Sequence, residues 1–153
     1  MDLVLWRHAQ AHDGVGEGDD LARTLTARGE KHASRMGTWL DCHLPESTRV
    51  LVSPARRTVQ TAMALGRDYK IKQELAPDCT AAQLLALVQW PAAKGTVLVV
   101  GHQPVLGQVI AELLGLNFTE CAVKKGAVWW LRMRTVEAIQ KTVVVTVQTP
   151  EVL

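Results

Sequence analysis

Three short apolar runs, residues 3–6, 50–52 and 97–100, each stop abruptly at residues with polar chemistry, and this constrains the fold more than any other feature of the chain. Leu3-Val4-Leu5-Trp6 shows no polar alternation, so it reads as a strand buried on both faces of a sheet. Arg7 and His8 follow with no turn residue between. Two readings are open for this pair. Either they are the first solvated residues of a loop, or they lie in the crevice beyond the strand ends where open α/β sheets bind ligands.

At 153 residues the chain fits one domain, taken here as residues 1–153. Hydrophobic residues make up 48% and charged residues 21%, which sets it apart from disordered and membrane proteins. A net charge of +2 with no basic run argues against nucleic acid as a partner. No apolar stretch approaches bilayer length, so no membrane association is expected. Cys42, Cys79 and Cys121 are odd in number and far apart, as free thiols in a reducing compartment would be, and the protein is read as cytoplasmic.

Strand and helix signals alternate along the chain. Residues 13–20, rich in glycine and acid, read as a surface loop, and their glycines match neither dinucleotide nor P-loop spacing. Thr26 is placed to cap a helix over about 27–42. Ser53-Pro54, directly after the second apolar run, reads as the start of a helix reaching about residue 66, with Ser53 as its cap. Residues 69–71 give a weak third strand signal. Thr80 and Gln83 have capping-box spacing, and Trp90-Pro91 ends that helix. Thr96-Val97-Leu98-Val99-Val100 is the clearest central strand. It runs into Gly101-His102-Gln103-Pro104 and a helix that Gly115 closes. Two further strands, about 127–133 and 142–148, complete the chain.

This order predicts an α/β fold, a three-layer domain with a largely parallel central sheet flanked by helices. Right-handed crossovers bring the carboxyl ends of parallel strands to one edge. Arg7-His8, residues 53–57 and Gly101-His102 are therefore expected to meet, which favours the ligand reading of the first strand. Two imidazoles among guanidinium groups repel a divalent cation, so neither metal nor cofactor is expected. They suit a phosphate-like anion, since arginine matches phosphate oxygens in pairs. A neutral imidazole can also attack phosphorus, and nearby arginines keep it neutral while stabilising the transferring group.

Leu5-Trp6-Arg7-His8-Ala9, the run from Ser53 to Ala62, and Gly101-His102-Gln103-Pro104 resemble, in order and spacing, the three signatures of the histidine phosphatase superfamily. Chain length and Arg23-Thr24-Leu25-Thr26 are most similar to its compact SixA-type branch of phosphohistidine phosphatases. The resemblance implies a histidine phosphatase/phosphoglycerate mutase-like architecture. It implies that His8 is the phosphorylated nucleophile, Arg7 and Arg57 bind phosphate, His102 hydrogen-bonds the phosphoryl group, and Arg23 lies beside the substrate. Arg56 falls one position out of register, as a solvated residue that could touch an acidic partner.

Ala9 stands where the family usually has glycine, which requires a negative φ there. The chain has no room for the helical insertion that brings an acid to larger members, and Glu74 and Asp78 lie only in the right region of sequence. The expected substrate is a phosphohistidine-bearing protein. A small phosphorylated metabolite, or phosphate binding without catalysis, are the alternatives. His12, four residues after His8, is expected to be solvated.

Overall fold

A computed structural model of the protein describes residues 1–14 and 19–153. The elements run β1 (Asp2–Arg7), α1 (Ala27–His43), β2 (Arg49–Val52), α2 (Arg56–Met63), β3 (Lys70–Ile71), α3 (Ala81–Val88), β4 (Thr96–Gly101), α4 (Val105–Leu114), β5 (Val128–Val136) and β6 (Ile139–Gln148). They build one six-stranded sheet in the order β3-β2-β4-β1-β5-β6. β1 to β4 are parallel; β5 runs antiparallel to β1, and β6 antiparallel to β5. Among the described residues, no helix is long and apolar enough to cross a membrane.

Helices cover both faces of the sheet because successive side chains of a strand point opposite ways. Leu3 and Leu5 of β1, with Val97 and Val99 of β4, pack against Leu84 and Val88 of α3 and Leu106 and Ile110 of α4. Val4, Trp6, Leu98 and Val100 face the other side, against Met36 and Leu40 of α1 and Ala62 of α2. The unbroken apolar runs of β1 and β4 thus mark strands covered twice, as their lack of alternation requires.

Local signals account for most boundaries. The Thr26 hydroxyl accepts the Gly29 amide at the start of α1, and Thr80 with Gln83 forms the reciprocal capping box of α3. Gly115 closes α4 with φ +65°. Ala9 has no positive φ, so alanine is acceptable there. α2 departs from expectation. It spans only Arg56–Met63, its cap residue is Ala55, and no side chain caps it. The expected loop at 13–20 lies partly outside the described residues; its end, Asp20–Ala22, is a turn of 3-10 helix.

Two glycines bring helices hard against loops beside the site, one leaving β1 and one joining α4 to β5. A Cβ on Gly29 would collide with the Gln10 carbonyl oxygen, two residues beyond His8. One on Gly107 would collide with the Cys121 carbonyl, in the loop whose Val123 carbonyl accepts a hydrogen bond from Arg7. Gly29→Ala and Gly107→Ala should each cost about 1–3 kcal/mol by overpacking, which thermal denaturation would register as a midpoint several degrees lower. An unchanged midpoint in both would contradict these close approaches.

Candidate active site

The parallel register places the functional side chains. Arg7 at the end of β1 lies opposite Gly101 at the end of β4, and Val52 of β2 lies opposite Val100. Main-chain bonds extend this order past the strands: the His8 amide donates to the Gly101 carbonyl and the Ser53 amide to the Val100 carbonyl, each at 3.1 Å. Gly126, with φ +79°, closes the other side, its amide donating to the carbonyls of Arg7 and His8. His8 and His102 end with ring centroids 5.3 Å apart, inclined at 54°. They are 5% and 2% exposed, and Arg57 is 3% exposed.

Each imidazole has a defined proton. His8 Nδ1 lies 2.7 Å from the Ala9 carbonyl oxygen, which can only accept, so the proton sits on Nδ1 and Nε2 keeps its lone pair. His102 Nε2 lies 2.8 Å from the Ser53 hydroxyl. With that hydroxyl donating to Nε2, the tautomer we assign to His102 carries its proton on Nδ1, a buried atom with no partner among the described residues. Arg7 Nε and Arg57 Nε are likewise buried without partners. Buried donors left unpaired are costly, so this cluster is prepared for an acceptor from outside the chain.

Arg7 is anchored by donation to the Val123 carbonyl at 2.8 Å. Arg57 donates to the Asp20 main-chain carbonyl at 2.6 Å and to its carboxylate at 3.2 Å. Arg23 reaches the other oxygen of the same carboxylate at 3.2 Å and donates to the His12 carbonyl. Asp20 thus bridges two of the expected site arginines, a role the sequence did not signal, although the Asp20 to Arg23 spacing is that of a turn contact. Thr61 was also missed; its hydroxyl accepts the Ala9 amide at 3.1 Å and donates to the Arg57 carbonyl at 2.7 Å.

Ser53, expected as a helix cap, instead supports His102. Its contact to the Ala55 amide is long, at 3.4 Å. Arg56 points to solvent while Arg57 points inward, the one-residue difference that the register implied. His12, Glu74 and Asp78 are exposed, and no hydrogen bond joins the two carboxylates to the site among the described residues. Nor do any three His, Cys, Asp or Glu side chains there gather closely enough to hold a metal ion.

Burial lowers the His8 pKa to about 4, opposed by its bond to Ala9 and reinforced by Arg57, Arg7 and Arg23. Burial, followed by Arg57, takes His102 down to about 3. Both rings are therefore neutral at pH 7. Partial burial raises the Asp20 carboxyl, but the charge and hydrogen bond of Arg57, then those of Arg23, outweigh it and hold the group below its usual value.

Following the His8 ring by NMR should give a titration midpoint near 4; a midpoint at the ordinary value of about 6.5 would contradict its burial. Because the unfolded chain protonates both rings at higher pH than the folded one does, stability should fall as pH drops from about 6.5 toward 4. Asp20→Asn removes an anion from Arg57 and Arg23 while keeping the main-chain contact. It should tighten binding of a tetrahedral oxyanion by up to about fivefold, the limit for a largely exposed ion pair, measurable by calorimetry with tungstate.

A sequence model of the histidine phosphatase superfamily (branch 1) matches residues 3–80. The chain is 31% identical over 130 residues to the phosphohistidine phosphatase SixA homolog of Haemophilus influenzae, covering 75% of this chain and 78% of that protein. It is 31% identical over 121 residues to phosphohistidine phosphatase SixA of Escherichia coli, covering 74% of each. It also superposes on the structure of the protein histidine phosphatase SixA complexed with tungstate, with a TM-score of 0.74 and 28% identity over 98% of this chain and 97% of that one. With half of its sequence matched by that model, and with relatives of this identity and coverage, the chain belongs to the histidine phosphatase superfamily.

Proposed function

We propose that the protein removes the phosphoryl group from phosphohistidine on another protein, through a phosphorylated His8. The observation that carries this reading is the neutral His8 ring, whose Nδ1 proton is committed to the Ala9 carbonyl so that the Nε2 lone pair is available beside Arg7, Arg57 and His102.

In the first displacement the Nε2 lone pair of His8 forms a bond to phosphorus as the substrate's nitrogen–phosphorus bond breaks. The departing imidazole takes the electron pair and a proton from water. In the second, water attacks the phosphorus on His8, its proton passes to solvent, Nε2 recovers its pair and inorganic phosphate leaves. Arg7 and Arg57 offset charge on the transferring oxygens, and His102 offers its Nδ1 proton to one of them. Arg23 helps to hold the substrate. His8 makes one difficult hydrolysis into two displacements.

The substrate class follows from the leaving group. Among the described residues, Glu74 and Asp78 are exposed and unconnected to the site, and Asp20 is held ionised by Arg57 and Arg23, so none of these carboxyls stands ready to protonate an alkoxide. The imidazole of a phosphohistidine departs more readily than an alkoxide. The SixA relatives, which are phosphohistidine phosphatases by name, and the tungstate held by one of them, a tetrahedral oxyanion, support the same reading. Three free cysteines fit a cytoplasmic setting.

Brief incubation with a phosphohistidine protein labelled on phosphorus, followed by alkaline quench, should leave acid-labile label on His8, and His8→Ala should abolish both label and turnover. Label on another residue would remove the mechanism. Arg57→Ala should cost at least ~100-fold in rate, the order lost with an oxyanion-type donor. Arg56→Ala should be nearly silent on p-nitrophenyl phosphate. Turnover of sugar phosphates with efficiency equal to that of the phosphohistidine protein would replace the substrate class.

A further inference from the structure

We infer that the open groove between the Asp20–Ala22 turn and α2 is where the phosphohistidine-bearing protein docks, placing an apolar side chain in the groove and a carboxylate on Arg56. This rests on the substrate class proposed above.

The groove has a volume of about 690 Å3 and is walled by Leu21, Pro54, Val59 and Met63, with Arg56 and Gln60 among its polar members. Leu21 and Met63 are 52% and 61% exposed. Two large apolar side chains facing each other across one groove mark an interaction surface more than scattered exposure would.

Its position identifies the occupant. Leu21 follows Asp20, which holds Arg57; Arg56 precedes Arg57; Pro54 follows Ser53, which holds His102. Consecutive Cα atoms lie about 3.8 Å apart, so the groove and the phosphate cluster are two sides of the same backbone segments. On α2 the inward Arg57 and outward Arg56 divide them. A protein whose phosphoryl group sits at His8 therefore lies next to the groove, whose wall is the segment that carries Arg57. A small phosphate ester has little with which to cover Leu21 and Met63, whereas the protein surface around a phosphorylated histidine extends over them.

Charge narrows the partner further. Arg56 is exposed and makes no ion pair among the described residues, whereas Arg57 and Arg23 share Asp20. The Gln60 side-chain oxygen is already taken by the Leu25 amide, and among the described residues Arg56 is the charged group that lines the groove. A carboxylate one or two turns from the phosphohistidine, beside an apolar residue, complements this surface.

The test compares a histidine phosphotransfer domain, phosphorylated with phosphoramidate, against p-nitrophenyl phosphate. Leu21→Ser combined with Met63→Ser, and separately Arg56→Glu, should lower kcat/KM on the phosphorylated domain at least about tenfold, mainly through KM. Activity on p-nitrophenyl phosphate should stay within about twofold, since none of the three residues contacts the phosphoryl group. Unchanged efficiency on the domain would overturn the docking surface and leave the substrate class standing. Equal losses on both substrates would also overturn it, by showing that the groove only supports the site. Failure of the unaltered protein to dephosphorylate the domain, while it hydrolyses p-nitrophenyl phosphate, would overturn the substrate class and the docking surface together.

Discussion

Parallel pairing of β1 with β4 is the constraint from which the site follows, because it fixes where two histidines on distant parts of the chain emerge. Arg7 stands opposite Gly101, and the His8 amide continues the ladder by bonding to the Gly101 carbonyl. A slip of one residue would turn the alternating side chains of β1 toward the wrong helices, exchanging Leu3 and Leu5 with Val4 and Trp6. The two packed faces therefore guard the register, and the register sets the 5.3 Å separation of the imidazoles. Core packing and site geometry are one requirement stated twice.

Gathering cations at a buried edge is unfavourable unless something offsets it. Burial and mutual repulsion lower the pKa of Arg7, and Arg57 has burial acting against it with Asp20 in its favour. The same surroundings suppress protonation of both histidines, so the site avoids two further positive charges. Burial, reinforced by the same arginines, keeps the His8 ring neutral at pH 7, as the proposed mechanism requires. In the proposed mechanism, binding and reactivity share a single electrostatic environment rather than separate devices.

The sequence disclosed the parts that depend on long-period pattern. Uninterrupted apolar runs mark β1 and β4, and the order of elements alone implies that Arg7-His8, the Ser53–Arg57 stretch and Gly101-His102 share one edge. The difference between Arg56 and Arg57 came from the resemblance, which put Arg57 and not Arg56 in the register of a phosphate-binding arginine. What escaped notice was pairwise. Ser53 looked like a cap because a serine before proline usually is one, and only the tertiary contact reveals His102 as its partner. Asp20 and Thr61 have no distinguishing local pattern; their roles come from tertiary approach. The last two strands were expected, but not their full length or their antiparallel pairing, since the residues at 134–141 are exposed and carry little apolar pattern.

Asp20 touches Arg57 through two chemically different atoms, a main-chain carbonyl and a side-chain carboxylate. The first contact survives any substitution that preserves the turn, and the second depends on identity alone. The orientation of the guanidinium and its degree of neutralisation can therefore drift independently: a lineage or an engineer could change the net charge of this edge through one side chain without re-aiming Arg57.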